Sequence, residues 1–490
     1  MNFHLVPQRR RIWPILLGVF LFLASFASVA LYFLAKELNP AAIVALPVVQ
    51  KELIKNVGVE HEPFLADAPE WLGLTEPKTY LMLFLNNTEL RPGGGFMGSY
   101  AVVTIDKGHP NILKVEGTEV LDLKANRAKL ALPPPILTKY LGVDRWYFRD
   151  SNWSPDFSQS AKQALVNYRA EDGLHADDID AVVGVTTHVL EELMRLSGPI
   201  TVDGIEFTAE NVVEKLEYEV EIGFSKRGVD RIERKDVLGD LFKKLLEKLG
   251  PDMLREPNKY FILMDELAAQ KHILAYSENQ KSEQKFMSYG WAGLFAPTTT
   301  DYLLWVDANM AALKTDYAVE RSLSYVFKPD AAGNLIATAT MEYKHTGKFD
   351  WRTSRYRTYT RIYVPPGSVL ESVNTVSNTG KKAVIKETSV ENNLASEVFG
   401  AFVSIEPGET KSMSFTYRLP PRVVESAIKR DYSLFIPKQL GAKTYQLTLG
   451  LNFGKTITSA VPAEEQKNWG NAVYNLNGDL KVDKWFNVKF

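Results

Sequence analysis

The chain has no cysteine among its 490 residues. Disulfides, thiolate metal sites, iron–sulfur clusters and cysteine nucleophiles are therefore excluded. An excess of positive charge is missing as well, since 57 Lys and Arg face 59 Asp and Glu for a net charge of −2. Nucleic-acid binding rests on many basic contacts to phosphate, so no nucleic-acid partner is expected. The seven histidines are dispersed and none forms a His-x-x-x-His pair, which argues against a zinc hydrolase. Without a Gly-x-Ser-x-Gly elbow, no serine triad can be nominated.

Long apolar runs are scarce, and the chain has one. Ile12 to Ala35 carries no charge. As a helix it would reach roughly 36 Å, against about 30 Å of bilayer hydrocarbon. Arg9, Arg10 and Arg11 precede it, while Lys36 and Glu37 cancel each other after it. The positive-inside rule then predicts a cytoplasmic N-terminus and an extracytoplasmic bulk at the cell membrane. A cleaved signal peptide, with Ser28-Val29-Ala30 as its small-residue site, is the competing reading; signal cores run to about 7–15 residues, fewer than here. The expected organisation is a cytoplasmic tail (1–11), a membrane helix (12–35), a stalk (36–75), an α/β domain (76–310) and an immunoglobulin-like β-sandwich (311–490).

The α/β expectation comes from periodicity. Tyr80 to Leu85 is a continuous apolar run, as in a strand buried on both faces. Tyr100–Ile105, Ile179–Val185 and Tyr302–Val306 read as further strands. Ser158 is placed to cap a helix whose face carries Ala161, Ala164, Leu165 and Tyr168. Val189 to Leu196 marks a second helix, and Val237 to Leu249 a third, stopped by Gly250-Pro251. Beyond 311 the pattern alternates in short strands: Ser322–Phe327, Leu335–Tyr343, Thr358–Val364, Ser412–Tyr417 and Tyr445–Leu451. Asn477-Gly478 signals a hairpin turn.

Two constellations carry candidate chemistry. The first, Asn86 to Ser99, joins two predicted strands and so lies at a sheet end, where open α/β folds place ligands. Gly93, Gly94 and Gly95 would turn N–H groups toward an anion, with Arg91 adding a fixed charge. The plainer reading is a connection whose backbone angles only glycine tolerates. The second is Arg145 to Phe157. Asp150 and Asp156 with Asn152 form an oxygen-rich set suited to Mg²⁺ or Ca²⁺. Arg145 and Arg149 suit phosphate, and Trp146, Tyr147 and Trp153 suit stacking on sugar or lining a lipid groove. Against this, the carboxylates would cap turns, the arginines pair with them, and the aromatics fill core. His188 and His272 read as structural.

The segments Leu83–Tyr100, Arg149–Phe157, Val306–Asn309 with Lys314-Thr315-Asp316, and Tyr359–Pro365 resemble the motifs of a bacterial envelope family, domain-of-unknown-function family 4012, over roughly residues 76–370. A more distant resemblance is to the LytR-CpsA-Psr family, through Phe148-Arg149-Asp150 and through Leu190 to Val202 with its Gly198-Pro199-Ile200 turn. That likeness implies a layered α/β body and Mg²⁺-dependent transfer of glycan polymers from polyprenyl-pyrophosphate carriers to the cell wall. In that picture Arg149, Asp150 and Arg91 are catalytic, with Arg91, Arg145 and Arg149 neutralising pyrophosphate. Gly93, Gly94, Gly95, Asn152 and Trp153 bind substrate, and Asp150 and Asp156 hold the metal. This chain departs from that family after its first strand, where Arg91 is followed by glycines and the next Asp is Asp106. The alternative expectation is a non-catalytic glycan-binding or protein-interaction scaffold at the cell surface.

Overall fold

The computed structural model describes residues 51, 54, 55, 58, 62–229, 234, 236–295, 297–429 and 431–490. The expected membrane helix Ile12–Ala35 lies outside them, as does most of the expected stalk. Among the described residues, no helix is long and apolar enough to cross a membrane. The last part of the stalk segment is helix α1 (Glu62–Trp71), whose Phe64, Leu65, Ala68 and Trp71 join the core.

A five-stranded sheet in the order β3-β2-β1-β4-β7 organises the first half. It comprises β1 (Lys78–Asn86), β2 (Phe96–Asp106), β3 (His109–Gly117), β4 (Ala181–Thr186) and β7 (Ile273–Tyr276); a small hairpin, β5 (Ile200–Val202) and β6 (Ile205–Phe207), stands apart. β1 and β4 run parallel and the other pairs are antiparallel. The 80–85 run is buried on both faces as its composition predicts. Tyr80 and Met82 enter one core, while Leu81, Leu83 and Leu85 enter the other. The first core is covered by α5 (Thr187–Ser197), α6 (Val212–Tyr218), α7 (Asp236–Arg255) and α8 (Pro257–Ala269), the second by α2 (Thr118–Lys124) and α4 (Phe157–Ala170); α3 (Pro135–Leu141) lies between α2 and α4 in the chain. β3 was not expected, because it is an edge strand and its burial does not alternate.

Local signals give way at three places. Asp156, not Ser158, caps α4, accepting from the Gln159 N–H at 3.0 Å. α7 runs through Gly250-Pro251 to Arg255. A residue before proline is pushed out of the helical region by its clash with the ring, and Glu256, before Pro257, adopts φ −130° and ψ 61° where the helix breaks. Asn477-Gly478 makes no turn: it lies inside β21 (Val473–Leu480), opposite Thr448 and Leu447 of β19 (Tyr445–Asn452).

The second half is built from sheets. A seven-stranded sheet, β14-β13-β17-β11-β10-β19-β21, contains β10 (Val319–Pro329), β11 (Leu335–His345), β13 (Val369–Ser377), β14 (Lys382–Val384) and β17 (Thr410–Arg418). It shares a core with a four-stranded sheet, β15-β16-β12-β9, which contains β9 (Leu304–Asn309), β12 (Tyr356–Val364), β15 (Thr388–Asn393) and β16 (Ser396–Ile405). Leu323, Tyr325 and Phe415 from the first sheet meet Trp305, Ile362 and Phe399 from the second, as in a sandwich. The β-rich half begins before residue 311: β8 (Asp301–Tyr302) and β9 pair with strands β18 (Asp431–Ile436) and β12 of this half and not with the first sheet.

Candidate functional site

The glycine loop after β1 is sealed between the two halves. The Gly93 N–H donates to Asn152 O at 3.0 Å, and Asn152 Nδ2 donates to Gly95 O at 2.6 Å. A Cβ on Gly93 would stand 2.7 Å from Asn152 Cβ, and one on Gly441 would stand 1.9 Å from Gly94 O. These glycines permit close backbone approach, and the N–H groups of Gly93 and Gly94 point at protein carbonyls. Arg91 is 4% exposed. Its Nη1 donates to Asn309 O, its Nη2 pairs with Glu89 at 3.2 Å, and its Nε has no partner.

The 306–316 segment supplies the other side of this joint. Leu90 N donates to Asp316 Oδ2 at 3.0 Å, Asn309 N to Leu90 O at 2.9 Å, and Asn309 Nδ2 to Asp316 Oδ2 at 2.8 Å. Trp153 lies beneath the Arg361 guanidinium, 4.1 Å from its ring centre, and its carbonyl accepts from Arg361 Nη2 at 2.7 Å. Arg91, Gly93, Gly94, Gly95, Asn152 and Trp153 thus meet, in packing between the two halves. Asp156 stands beside them, accepting from the Phe295 N–H.

The metal donor set does not fit an ion. Asp156 spends Oδ1 on the Gln159 N–H and Oδ2 on the Phe295 N–H, each at 3.0 Å. Burial pushes its carboxyl upward, against the backbone N–H groups and the Lys271 charge that favour its ionised form. Among the described residues, no three His, Asp or Glu side chains stand where one ion could touch them all.

Arg149 is the sequence-nominated residue that reaches a cleft. Its Nε lies 3.1 Å from Asp122 Oδ2 and 3.5 Å from Asp150 Oδ2, with its guanidinium 5.3 Å from the Tyr147 ring centre. Asp150 is buried behind it. Burial and then the Glu171 charge push Asp122 upward; burial does the same to Glu171, whose Oε1 accepts from the Phe148 N–H at 2.7 Å. Arg149, Tyr147, Asp122 and Val143 line a cleft of about 710 Å³. Arg145 is half-buried beside it, donating to the carbonyls of Arg127 and Asp144.

An apolar cleft of about 210 Å³, not foreseen from the sequence, opens on the other side of α2; Glu119 lines both. It lies outside the C-terminal ends of the parallel pair β1 and β4, bounded by Phe84, Val185, Leu190, Val213, Leu216, Leu238 and Phe242. Phe84 and Phe242 stack, 5.7 Å between centres. Charges ring this apolar floor: Arg234 pairs with Glu119 at 2.5 Å and Lys314 with Glu221 at 3.0 Å, while Arg234 Nε has no hydrogen-bond partner among the described residues. Burial opposes the charge on Lys314, but Glu221, Glu89 and Glu217 outweigh it and its pKa is raised. A π-helical turn, Glu219–Gly223, brings Val220 and Glu221 to the wall. Sequence reasoning missed this cleft because its apolar walls come from β1, β4, α5, α6 and α7, each of which reads as ordinary core, although Asn86, Phe96, Gly98 and Ser99 of the nominated loop also line it. The Phe84, Leu238 and Phe242 positions, apolar yet half-buried, are the signal once the fold is known.

No curated protein matches this chain. Among solved structures, partial and weak likenesses are found. A putative protease from Parabacteroides distasonis shares 9% identity over 36% of this chain and 41% of its own, with a TM-score of 0.20. A putative nutrient binding protein from Legionella pneumophila shares 7% over 39% and 71%, with a TM-score of 0.24. Yeast LTA4 hydrolase in complex with bestatin shares 8% over 35% and 29%, with a TM-score of 0.19. The chain thus spans about two fifths of the length of the first of these. Residues 75–220, which hold the glycine loop, the Arg149 segment and much of the apolar cleft, match the family described as a protein of unknown function (DUF4012).

Proposed function

We propose that this is a membrane-tethered envelope protein whose folded body, outside the cytoplasm, binds a long-chain amphiphile of the polyprenyl-phosphate type. The observation that carries this reading is the apolar cleft, whose rim sets Arg234 and Lys314 among Glu119, Glu217 and Glu221. Its place beyond the carboxyl ends of two parallel strands is where α/β sheets hold ligands. Each CH₂ withdrawn from water there is worth about 0.8 kcal/mol, so a few isoprene units supply the affinity, and Arg234 and Lys314 orient a phosphate. The apolar stretch at 12–35 would hold the body beside the bilayer from which such a lipid comes. The two-faced α/β sheet is in keeping with a LytR-CpsA-Psr-like layered body, and the second half with an immunoglobulin-like sandwich. Binding and presentation, rather than metal-assisted transfer, suit a donor set in which Asp156 caps a helix.

The full chain in detergent is titrated with polyprenyl phosphate. Leu238→Glu places a charge on a half-buried wall position and is expected to weaken binding at least about tenfold, roughly 1.4 kcal/mol, with the melting temperature nearly unchanged. Equal binding by the variant and the parent refutes the cleft as the site. Turnover of a glycan-bearing carrier, lost in Arg149→Lys, would favour the transferase reading instead.

A further inference from the structure

The apolar cleft does not end at its rim. Thr187 and Val213 line both it and a polar cleft of about 380 Å³, and Tyr317, Lys443 and Thr444 line both that cleft and a third of about 410 Å³. Together they form one track. It runs from the ends of β1 and β4, across the joint between the halves, onto the outer face of the seven-stranded sheet.

The chemistry changes along this track. β11, β10 and β19 are adjacent interior strands, and the two-residue period sends Leu323, Tyr343 and Leu447 into the core. The outer face therefore carries Glu320, Ser322, Glu342, Lys344 and Gln446, with Ser322 opposite both Glu342 and Gln446. Most charges in the track are already matched: Lys344 with Glu320 at 2.9 Å, Arg352 with Glu217 at 2.6 Å, and Arg321 with Asp307 at 3.0 Å, while Glu191 meets the His188 ring at 2.8 Å. Among the described residues, Lys443 and Glu342 have no ion pair; Lys443 Nζ meets the Tyr317 carbonyl at 3.3 Å. No surplus of positive charge remains.

That balance selects the occupant. A polyphosphate or a nucleic acid would meet no surplus of cations. An extended peptide adds to a sheet edge or fills apolar pockets, and these interior strands have no free edge. A row of amide, carboxylate, hydroxyl and ammonium groups instead matches alcohols, each of which both donates and accepts. We propose that this polar track binds a neutral, hydroxyl-rich oligosaccharide. The consequent substrate class, a lipid carrying a glycan chain, rests on the lipid binding proposed above; the sugar site itself does not.

The test titrates the full chain in detergent with four probes: a linear N-acetylglucosamine hexamer, cellohexaose, hexagalacturonate and a polar decapeptide. At least one neutral hexamer is expected to bind with a Kd below about 1 mM. Glu342→Ala combined with Gln446→Ala should weaken it at least about tenfold while leaving the melting temperature and polyprenyl-phosphate binding unchanged. The proposal is overturned if neither neutral hexamer binds, if only the anionic sugar or the peptide binds, or if the double variant binds sugar as the parent does. Loss of lipid binding in Leu238→Glu with sugar binding intact separates the two sites. Sugar binding with no lipid binding in the parent sinks the lipid reading and leaves this one standing.

Discussion

Replacing Arg321 with Met is the sharpest probe of the joint that places the site. Arg321 is buried in the β-rich half, with Nε 3.0 Å from Asp307 Oδ2 and Nη2 2.5 Å from Asp316 Oδ1. Tyr343 donates its hydroxyl to Asp307 at 2.7 Å, and Tyr356 to Asp316 at 3.0 Å. One guanidinium thus holds two buried carboxylates, and Asp316 in turn holds Leu90 and Asn309 at the glycine loop. Met keeps the length of the side chain and removes the charge, leaving both carboxylates uncompensated. Breaking a buried pair in this way costs about 3–5 kcal/mol, more than any surface pair could. In a cooperative unit of roughly 200 residues, each kcal/mol lowers Tm by about 2–4 °C, so a fall of roughly 10 °C is expected by calorimetry. The triple variant Arg321→Met, Asp307→Asn, Asp316→Asn should recover most of it, because neutral partners need no counter-charge. A fall below about 2 °C for the single variant, or no recovery in the triple one, would refute the reasoning.

Other predictions read different parts of the fold. Gly93→Ala forces a Cβ to within 2.7 Å of Asn152 Cβ and should cost about 1–3 kcal/mol in urea unfolding; a neutral result would mean the loop is not clamped. Asp301 has its carboxyl pushed up to about 6 by burial, against hydrogen bonds from Tyr432 and Tyr325. Below about pH 4 both folded and unfolded chains hold that proton; above it the unfolded chain releases the proton first. The group's contribution is therefore lost as pH rises through 6, by roughly 3 kcal/mol. The urea midpoint of the parent should fall from pH 4.5 to pH 8 relative to that of Asp301→Asn, and parallel curves would exclude this cause.

The residues that made the elements legible were those whose period is itself the structural cause. Tyr80–Leu85 had to be a doubly buried strand, and the faces Ala161–Tyr168 and Val189–Met194 had to cover it, because apolar spacing leaves no other way to exclude water. Punctuation was less reliable. Asn477-Gly478 was overridden by eight paired positions with β19, and Gly250-Pro251 by a helix that runs on to Arg255. The Arg149 segment was legible as a charged, aromatic cluster, but its members part company in space: Arg149 faces a cleft, Asp156 caps a helix, and Trp153 stacks under Arg361.

By itself, then, the amino-acid sequence determined the α/β and β-rich halves, the glycine loop at a strand end, and the absence of thiol chemistry, since each follows from residue type and local spacing. Tertiary structure alone decided which of those residues are sealed and which are open. Burial and charge pairing depend on what another part of the chain places opposite a side chain. Arg91 meets Asn309, Gly94 meets Gly441, and Phe84 meets Phe242 across a cleft, contacts between residues separated by 150 or more positions that no local pattern records.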